Sequence, residues 1–144
     1  MNVAQLKCFG SWAGRRLALL SLAGILVGCS ALGEIGKTPE EIVAARAEAR
    51  WRAVIAGQWE TAYSFATSAY RAAVDLDGFK GRIAGPVIRK AAEAQSVTCS
   101  EGSCEVVIRM TYEPAGRRGF GEIKTDFSER WVEEEGRWFI HQRF

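Results

Sequence analysis

The chain has 144 residues, which is the size of one ordinary domain. Hydrophobic residues make up 48% of it and charged residues 25%, a composition that excludes an intrinsically disordered protein. The formal net charge is +2, but Lys7, Arg15 and Arg16 precede position 29 without any acidic residue, so the remainder is near neutral. A near-neutral domain offers no basic patch for a phosphate backbone, and we expect no nucleic-acid partner.

Residues 1–28 have the parts of a secretory signal. Arg15 and Arg16 form a basic flank, and residues 17–27 are an apolar run that ends in small residues. The run is shorter than the roughly 20 residues that a membrane-spanning helix needs. We therefore expect an export signal that is removed, with an uncleaved anchor helix as the alternative.

The motif Leu-Val-Gly-Cys at positions 26–29 resembles the lipobox of bacterial lipoproteins. The resemblance implies that the Cys29 thiol receives a diacylglyceryl group and that Cys29 becomes the first residue of the mature protein. Ser30 follows it, and a serine at this place resembles lipoproteins that are sent to the outer membrane. The resemblance thus implies a lipid anchor on the periplasmic face of that membrane; the alternative is a cysteine that falls there by chance.

Cys99 and Cys104 are the two cysteines that remain after the signal and the lipidated residue, an even pair in an oxidising compartment. Four turn-forming residues separate them and strand-like sequence flanks them, so we expect a disulfide at the base of a hairpin. Its Cα atoms should lie about 5.5 Å apart. The only histidine, His141, lies far along the chain, and we expect neither a metal site nor a cofactor.

The mature chain begins with helix signals. Residues 29–37 are expected to form a tether, and a helix should start at Thr38, with Pro39 in its first turn and Glu41 completing a capping box. Its apolar stripe consists of Ala44, Ala47, Trp51 and Ile55. The charged residues of the helix are expected mostly on other faces: Arg46, Glu48, Arg50 and Arg52. Shorter helices are predicted over 59–66 and 68–74, and a turn over 75–78.

Strand signals follow the helices. Residues 87–99 alternate weakly, which leaves a long bent strand or a partly helical segment open, whereas 105–112 and 123–133 alternate clearly. A turn at 134–137 leads into a last strand at 138–144. We predict a single α+β domain over 38–144, with two or three N-terminal helices packed on a curved antiparallel sheet of three or four strands.

This order of elements, together with the sequences at 50–63, 70–71 and 129–138, resembles the nuclear transport factor 2-like (cystatin-like) superfold. The resemblance implies an early helix pair across a curved sheet, and last strands joined by a tight glycine turn. The family holds ketosteroid isomerase-like and dehydratase-like enzymes, ligand carriers and lipoproteins, so it does not decide the function.

A concave space between helices and sheet is the expected ligand site. Aromatic and sulfur-containing side chains are candidates to line it, unless they simply form the core: Trp59, Tyr63, Met110, Tyr112, Phe127, Trp131 and Trp138. An isomerase-like or hydrolytic enzyme would need a carboxylate base in an apolar pocket. Asp126 alternates away from the apolar face and Glu129 lies on it, while His141 is expected to be paired or solvated.

No catalytic set is recognisable, so the leading hypothesis is a non-catalytic lipoprotein. Its membrane contact would be the lipid on Cys29, and its domain would bind an envelope protein or a small apolar ligand. The alternative is an enzyme of the isomerase-like or hydrolytic kind, with Tyr63 as a hydrogen-bond donor to the substrate.

Overall fold

The computed structural model describes residues 36–116 and 121–143. The predicted signal and lipidation site, most of the tether and part of the loop after position 114 lie outside the described residues. Within these two ranges, no helix combines the length and the apolar character needed to cross a membrane.

In the described part of the chain, four helices precede a four-stranded antiparallel sheet, which confirms the α+β prediction. The sheet order follows the chain, β1-β2-β3-β4. The helices are α1 (Pro39–Ile55), α2 (Trp59–Ser64), α3 (Ser68–Ala73) and α4 (Leu76–Ile83). The strands are β1 (Val87–Ser100), β2 (Ser103–Pro114), β3 (Ile123–Glu134) and β4 (Arg137–Ile140).

Helix α1 has the predicted ends. The Thr38 hydroxyl accepts a hydrogen bond from the Glu41 amide, and the Glu41 carboxylate accepts one from the Thr38 amide, so the capping box is present. At the other end, the Gly57 amide donates to the Val54 carbonyl and the next amide to the Ala53 carbonyl. These two bonds are those of a Schellman motif, which satisfies carbonyls that the helix leaves open.

The buried stripe of α1 is rotated from the predicted one. Ala44 and Ile55 are only half-buried, and the side chains of Val43, Arg50 and Val54 lie inside instead. The prediction that Arg50 faces away from the core was wrong: its side chain is 2% exposed. An arginine reaches the interior here because a buried carboxylate on the sheet accepts its hydrogen bond.

Helix α4 replaces the predicted turn at 75–78. Asp75 is its N-cap, with a carboxylate oxygen 2.8 Å from the Gly78 amide nitrogen. Asp and Gly form both turns and helix starts, because a short side chain that accepts from a nearby amide serves either structure. The helix buries Phe79 and Ile83 against the core, and this packing favours the helix over an isolated turn.

Two hairpins share one turn sequence. Glu101-Gly102 joins β1 to β2 and Glu135-Gly136 joins β3 to β4, with both residues at positive φ in each case. Positive φ at both central positions is the mark of the two-residue type I′ turn. The turn at 134–137 is confirmed, whereas the predicted four-residue loop between the cysteines is a two-residue turn.

Cys99 and Cys104 face each other across the first hairpin and their sulfurs are bonded. The Cα atoms are 4.0 Å apart rather than the 5.5 Å we expected. The difference follows from the shorter turn, because Ser100 and Ser103 form the pair next to it and the cysteines form the closer pair behind.

We expect reduction of this disulfide to lower the free energy of unfolding by about 2 kcal/mol, because the closed loop is short. Denaturant titrations with and without a thiol reductant measure the difference. The variant with both Cys99→Ala and Cys104→Ala serves as control and should be insensitive to the reductant. An equal response of the two proteins would contradict the expectation.

Strand β1 runs the whole length of the weakly alternating segment, so the partly helical interpretation was wrong. Its pairing with β2 shifts register between Arg89 and Ala91 and again between Ala94 and Ser96. Each irregularity adds a residue to one strand, bends the sheet and changes which residues face inward. The two β-bulges therefore explain why this segment of the sequence alternates only weakly.

The last strand is shorter than predicted, because β4 ends at Ile140 and residues 141–143 are irregular. Ile140 pairs with β3 on one side and with the α2–α3 connection on the other. Its amide donates to the Phe65 carbonyl, and its carbonyl accepts from the Thr67 amide. The end of β4 is therefore hydrogen-bonded along both of its edges.

Candidate functional site

A buried ion pair joins helix α1 to strand β3. Arg50 Nη1 lies 2.8 Å from Glu129 Oε1, and the residues are 2% and 7% exposed. Glu129 lies on the inward face of β3, as alternation predicts. Burial lowers the pKa of the Arg50 guanidinium, and the negative charge of Glu129 opposes that effect. The pair keeps an otherwise costly charge inside the domain.

Two indole groups complete the environment of Glu129. The Trp51 Nε1 atom donates to Oε1 over 2.8 Å, and the Trp131 Nε1 atom donates to Oε2 over 3.2 Å. The Arg50 guanidinium also lies 4.7 Å from the centre of the Trp51 ring. The carboxylate therefore accepts from three donors, an arrangement that suits a fixed anion better than a group that must take up a substrate proton.

The ion pair lies at the bottom of an open depression of about 340 Å³. Residues from α1, from the end of α4, from β1 and from β3 line it, together with His141 and Gln142. Three arginines line it in addition to Arg50: Arg82, Arg89 and Arg130. Their shared position, next to a buried ion pair, makes the depression a candidate binding site.

Arg89 lies half-buried in this wall. Its Nη2 atom donates to the Ile83 carbonyl, and its guanidinium carbon lies 6.0 Å from the centre of the Trp51 ring. Burial lowers the pKa of Arg89. The positive charge of Arg89 is therefore partly removed from water, and the carbonyl and the indole ring that it contacts are both neutral.

The positive charges of Arg82 and Arg50 both affect the pKa of the buried Tyr70. Burial raises the pKa of the Tyr70 hydroxyl, and the positive charges of Arg82 and Arg50 act in the opposite direction.

The sequence matches no family model, and it matches no curated protein. Among solved structures, the chain is similar to the solution structure of a SEC-C motif containing protein from Rhodopseudomonas palustris. The TM-score is 0.52 at 13% identity, over 65% of this chain and 70% of that one. At this identity the similarity shows a shared fold and carries no conclusion about activity.

The seven residues predicted to line a concavity belong mainly to the core. Met110, Trp131 and Trp138 are buried in the central cluster. Trp59, Tyr63, Tyr112 and Phe127 are half-buried and pack against that cluster. Of the seven, Phe127 is the one that lines the depression.

The enzyme alternative named residues that the structure separates. Asp126 lies on the outer face of β3, where both its oxygens accept from Arg109 over 2.8 and 2.7 Å. This contact lowers the pKa of Asp126. The Tyr63 hydroxyl lies 2.7 Å from the Val74 carbonyl on the helical side. His141 is exposed at the rim of the depression.

Sequence reasoning did not find Arg50, Arg82 and Arg89 as members of one site. They come from α1, α4 and β1, and no spacing in the chain connects them. The useful signal was the position of Glu129 on an apolar strand face, since a buried carboxylate requires a buried donor. Among residues 36–116 and 121–143, no three His, Cys, Asp or Glu side chains are grouped as metal ligands.

Proposed function

We propose that this protein is a lipoprotein anchored to the periplasmic face of the outer membrane, and that its domain binds an envelope protein or a small ligand without catalysis. The observation that carries the proposal is the Leu-Val-Gly-Cys motif at 26–29, directly after a basic flank and an apolar run. A single acyl chain binds a membrane only weakly, whereas several acyl chains on one cysteine are sufficient for stable anchoring.

The start of the folded domain is compatible with such an anchor. The N-cap of α1 is Thr38, nine residues after Cys29. A tether of that length spans at most about 30 Å when fully extended. The domain would therefore stay close to the membrane surface. The bonded Cys99–Cys104 pair also suits a protein that is exported to an oxidising compartment.

The geometry of Glu129 favours binding over isomerase-like catalysis. A general base needs a free lone pair directed at the substrate, whereas Glu129 accepts from Arg50, Trp51 and Trp131. The inner face of the sheet is occupied by core side chains such as Ile108 and Trp131, both 0% exposed. The open depression above the ion pair is a more suitable place for a ligand.

The anchor is tested by metabolic labelling with radioactive palmitate. We expect the wild-type chain to incorporate label and to sediment with outer-membrane fractions, and Cys29→Ala to lose the label completely, because the acceptor sulfur is gone. Cys8→Ala is the matched control, since it removes the other cysteine upstream of the domain and should leave labelling unchanged. Label that persists in Cys29→Ala would refute the anchor.

A further inference from the structure

Two arginines in the wall of the depression have no acidic partner. Neither Arg82 nor Arg89 has a carboxylate oxygen within 4.0 Å in the described ranges 36–116 and 121–143. By contrast, Arg109 on the outer face of the sheet has an ion pair of 2.7 Å with Asp126. The depression therefore contains two arginines whose charge no carboxylate compensates.

The lining as a whole is positive. Glu129 is the only carboxylate among the residues that line the depression, and Arg50 already neutralises it. Arg130 also belongs to the lining, but its Nε atom donates to the Ser103 hydroxyl on the opposite face of the sheet. Arg82 and Arg89 are left as the charges available to a ligand, one exposed and one half-buried.

The floor has unused hydrogen-bonding capacity as well. Arg50 Nε and Gln142 Oε1 are buried polar atoms without a hydrogen-bond partner among the described residues. Both residues line the same depression. Buried polar atoms are paired in most proteins, and unpaired ones are often found where a ligand or ordered water belongs. The Arg50 Nε–H can donate to an anion, whereas Gln142 Oε1 accepts only and suits an ordered water.

We propose that this depression binds the phosphate group of a small soluble molecule, held between the guanidinium groups of Arg82 and Arg89. The site gives a ligand class to the binding role proposed above and does not depend on the lipid anchor. This class differs from the small apolar ligand expected from the aromatic residues.

One feature favours phosphate over a carboxylate, and a second favours an anion over a neutral ligand. A guanidinium presents a planar fork of donors, and one carboxylate offers a single edge to such a fork. A tetrahedral phosphate has oxygens for two forks at once, and Arg82 of α4 and Arg89 of β1 both line the depression. Binding would also compensate the desolvated charge of Arg89, which a neutral ligand could not do.

The test is calorimetric titration of the full chain, purified in a non-ionic detergent, with inorganic phosphate at about pH 7.5, where the dianion predominates. A titration with acetate at equal ionic strength measures non-specific charge effects. We expect phosphate to bind the wild-type chain and acetate to bind at least tenfold more weakly. Arg82→Gln and Arg89→Gln should each weaken phosphate binding about tenfold or more.

Arg52→Gln is the matched control, because Arg52 is an exposed arginine of α1 that pairs with Glu48 outside the depression. It should bind phosphate like the wild type. Arg82 is exposed, so its variant tests the site even if Arg89→Gln fails to fold. Equal phosphate affinity of Arg82→Gln and wild type, or no preference for phosphate over acetate, would overturn the site and leave the anchor untouched.

Discussion

Replacing Glu129 by alanine should lower the free energy of unfolding by about 3–5 kcal/mol. The substitution leaves the Arg50 guanidinium buried without its counter-charge, at a position that is 2% exposed. It also removes the acceptor of the Trp51 and Trp131 indole N–H groups. A buried charge without a partner costs more than the pair contributes, so the effect should exceed that of an ordinary surface ion pair. Denaturant unfolding followed by far-ultraviolet circular dichroism measures it.

Glu133→Ala is the control for this substitution, because Glu133 lies on the same strand but is exposed. It should change the free energy of unfolding by less than about 0.5 kcal/mol. The double variant Arg50→Met with Glu129→Leu should recover much of the loss, since it removes both charges and keeps apolar volume. A loss for Glu129→Ala no larger than for Glu133→Ala would show that the pair does not stabilise the fold.

Trp131→Ala should also cost about 3–5 kcal/mol, the range for truncating a large core aromatic residue. Trp131 is 0% exposed, and its ring lies edge-on to Phe65 with centroids 6.3 Å apart. Its indole N–H donates to Glu129, so the truncation opens a cavity and removes one donor to the buried carboxylate. Thermal and denaturant unfolding report the loss, and the near-ultraviolet dichroism of the aromatic core should weaken.

Val132→Ala is the comparison for Trp131→Ala. Val132 is the next residue of β3, points to the outer face and is half-buried, so its truncation should cost about 1 kcal/mol or less. Similar losses at 131 and 132 would mean that the core does not depend on the inner face of β3. The losses of Trp131→Ala and Glu129→Ala should add up to more than the loss of the double variant, because the two side chains are in contact.

Local signals were sufficient for much of the fold. The capping box at Thr38 set the start of α1, and alternation assigned inward and outward faces along β2 and β3. The same alternation placed Glu129 inside and Asp126 outside, which the structure confirms. These features depend on neighbouring residues in the chain, so the chemistry that decides them can be read from short segments.

Other features depend on contacts between distant segments. Two β-bulges in β1 shift its faces relative to β2. The sequence of β1 therefore alternates only weakly, and the strand is hard to recognise from it. Asp75 begins a helix rather than a turn because Phe79 and Ile83 find a core to enter. The candidate site is the feature that the sequence predicts least well, because Arg50, Arg82 and Arg89 belong to separate elements.

The order of elements, the strand faces and the lipobox-like motif thus follow from residue patterns within a few positions of one another. The burial of Arg50, the grouping of three arginines and the filling of the inner sheet face by core side chains follow only from packing α1 and α4 against the curved sheet. The physical reason is that a charge is tolerated inside only where a partner 79 positions away in the chain arrives within hydrogen-bond distance.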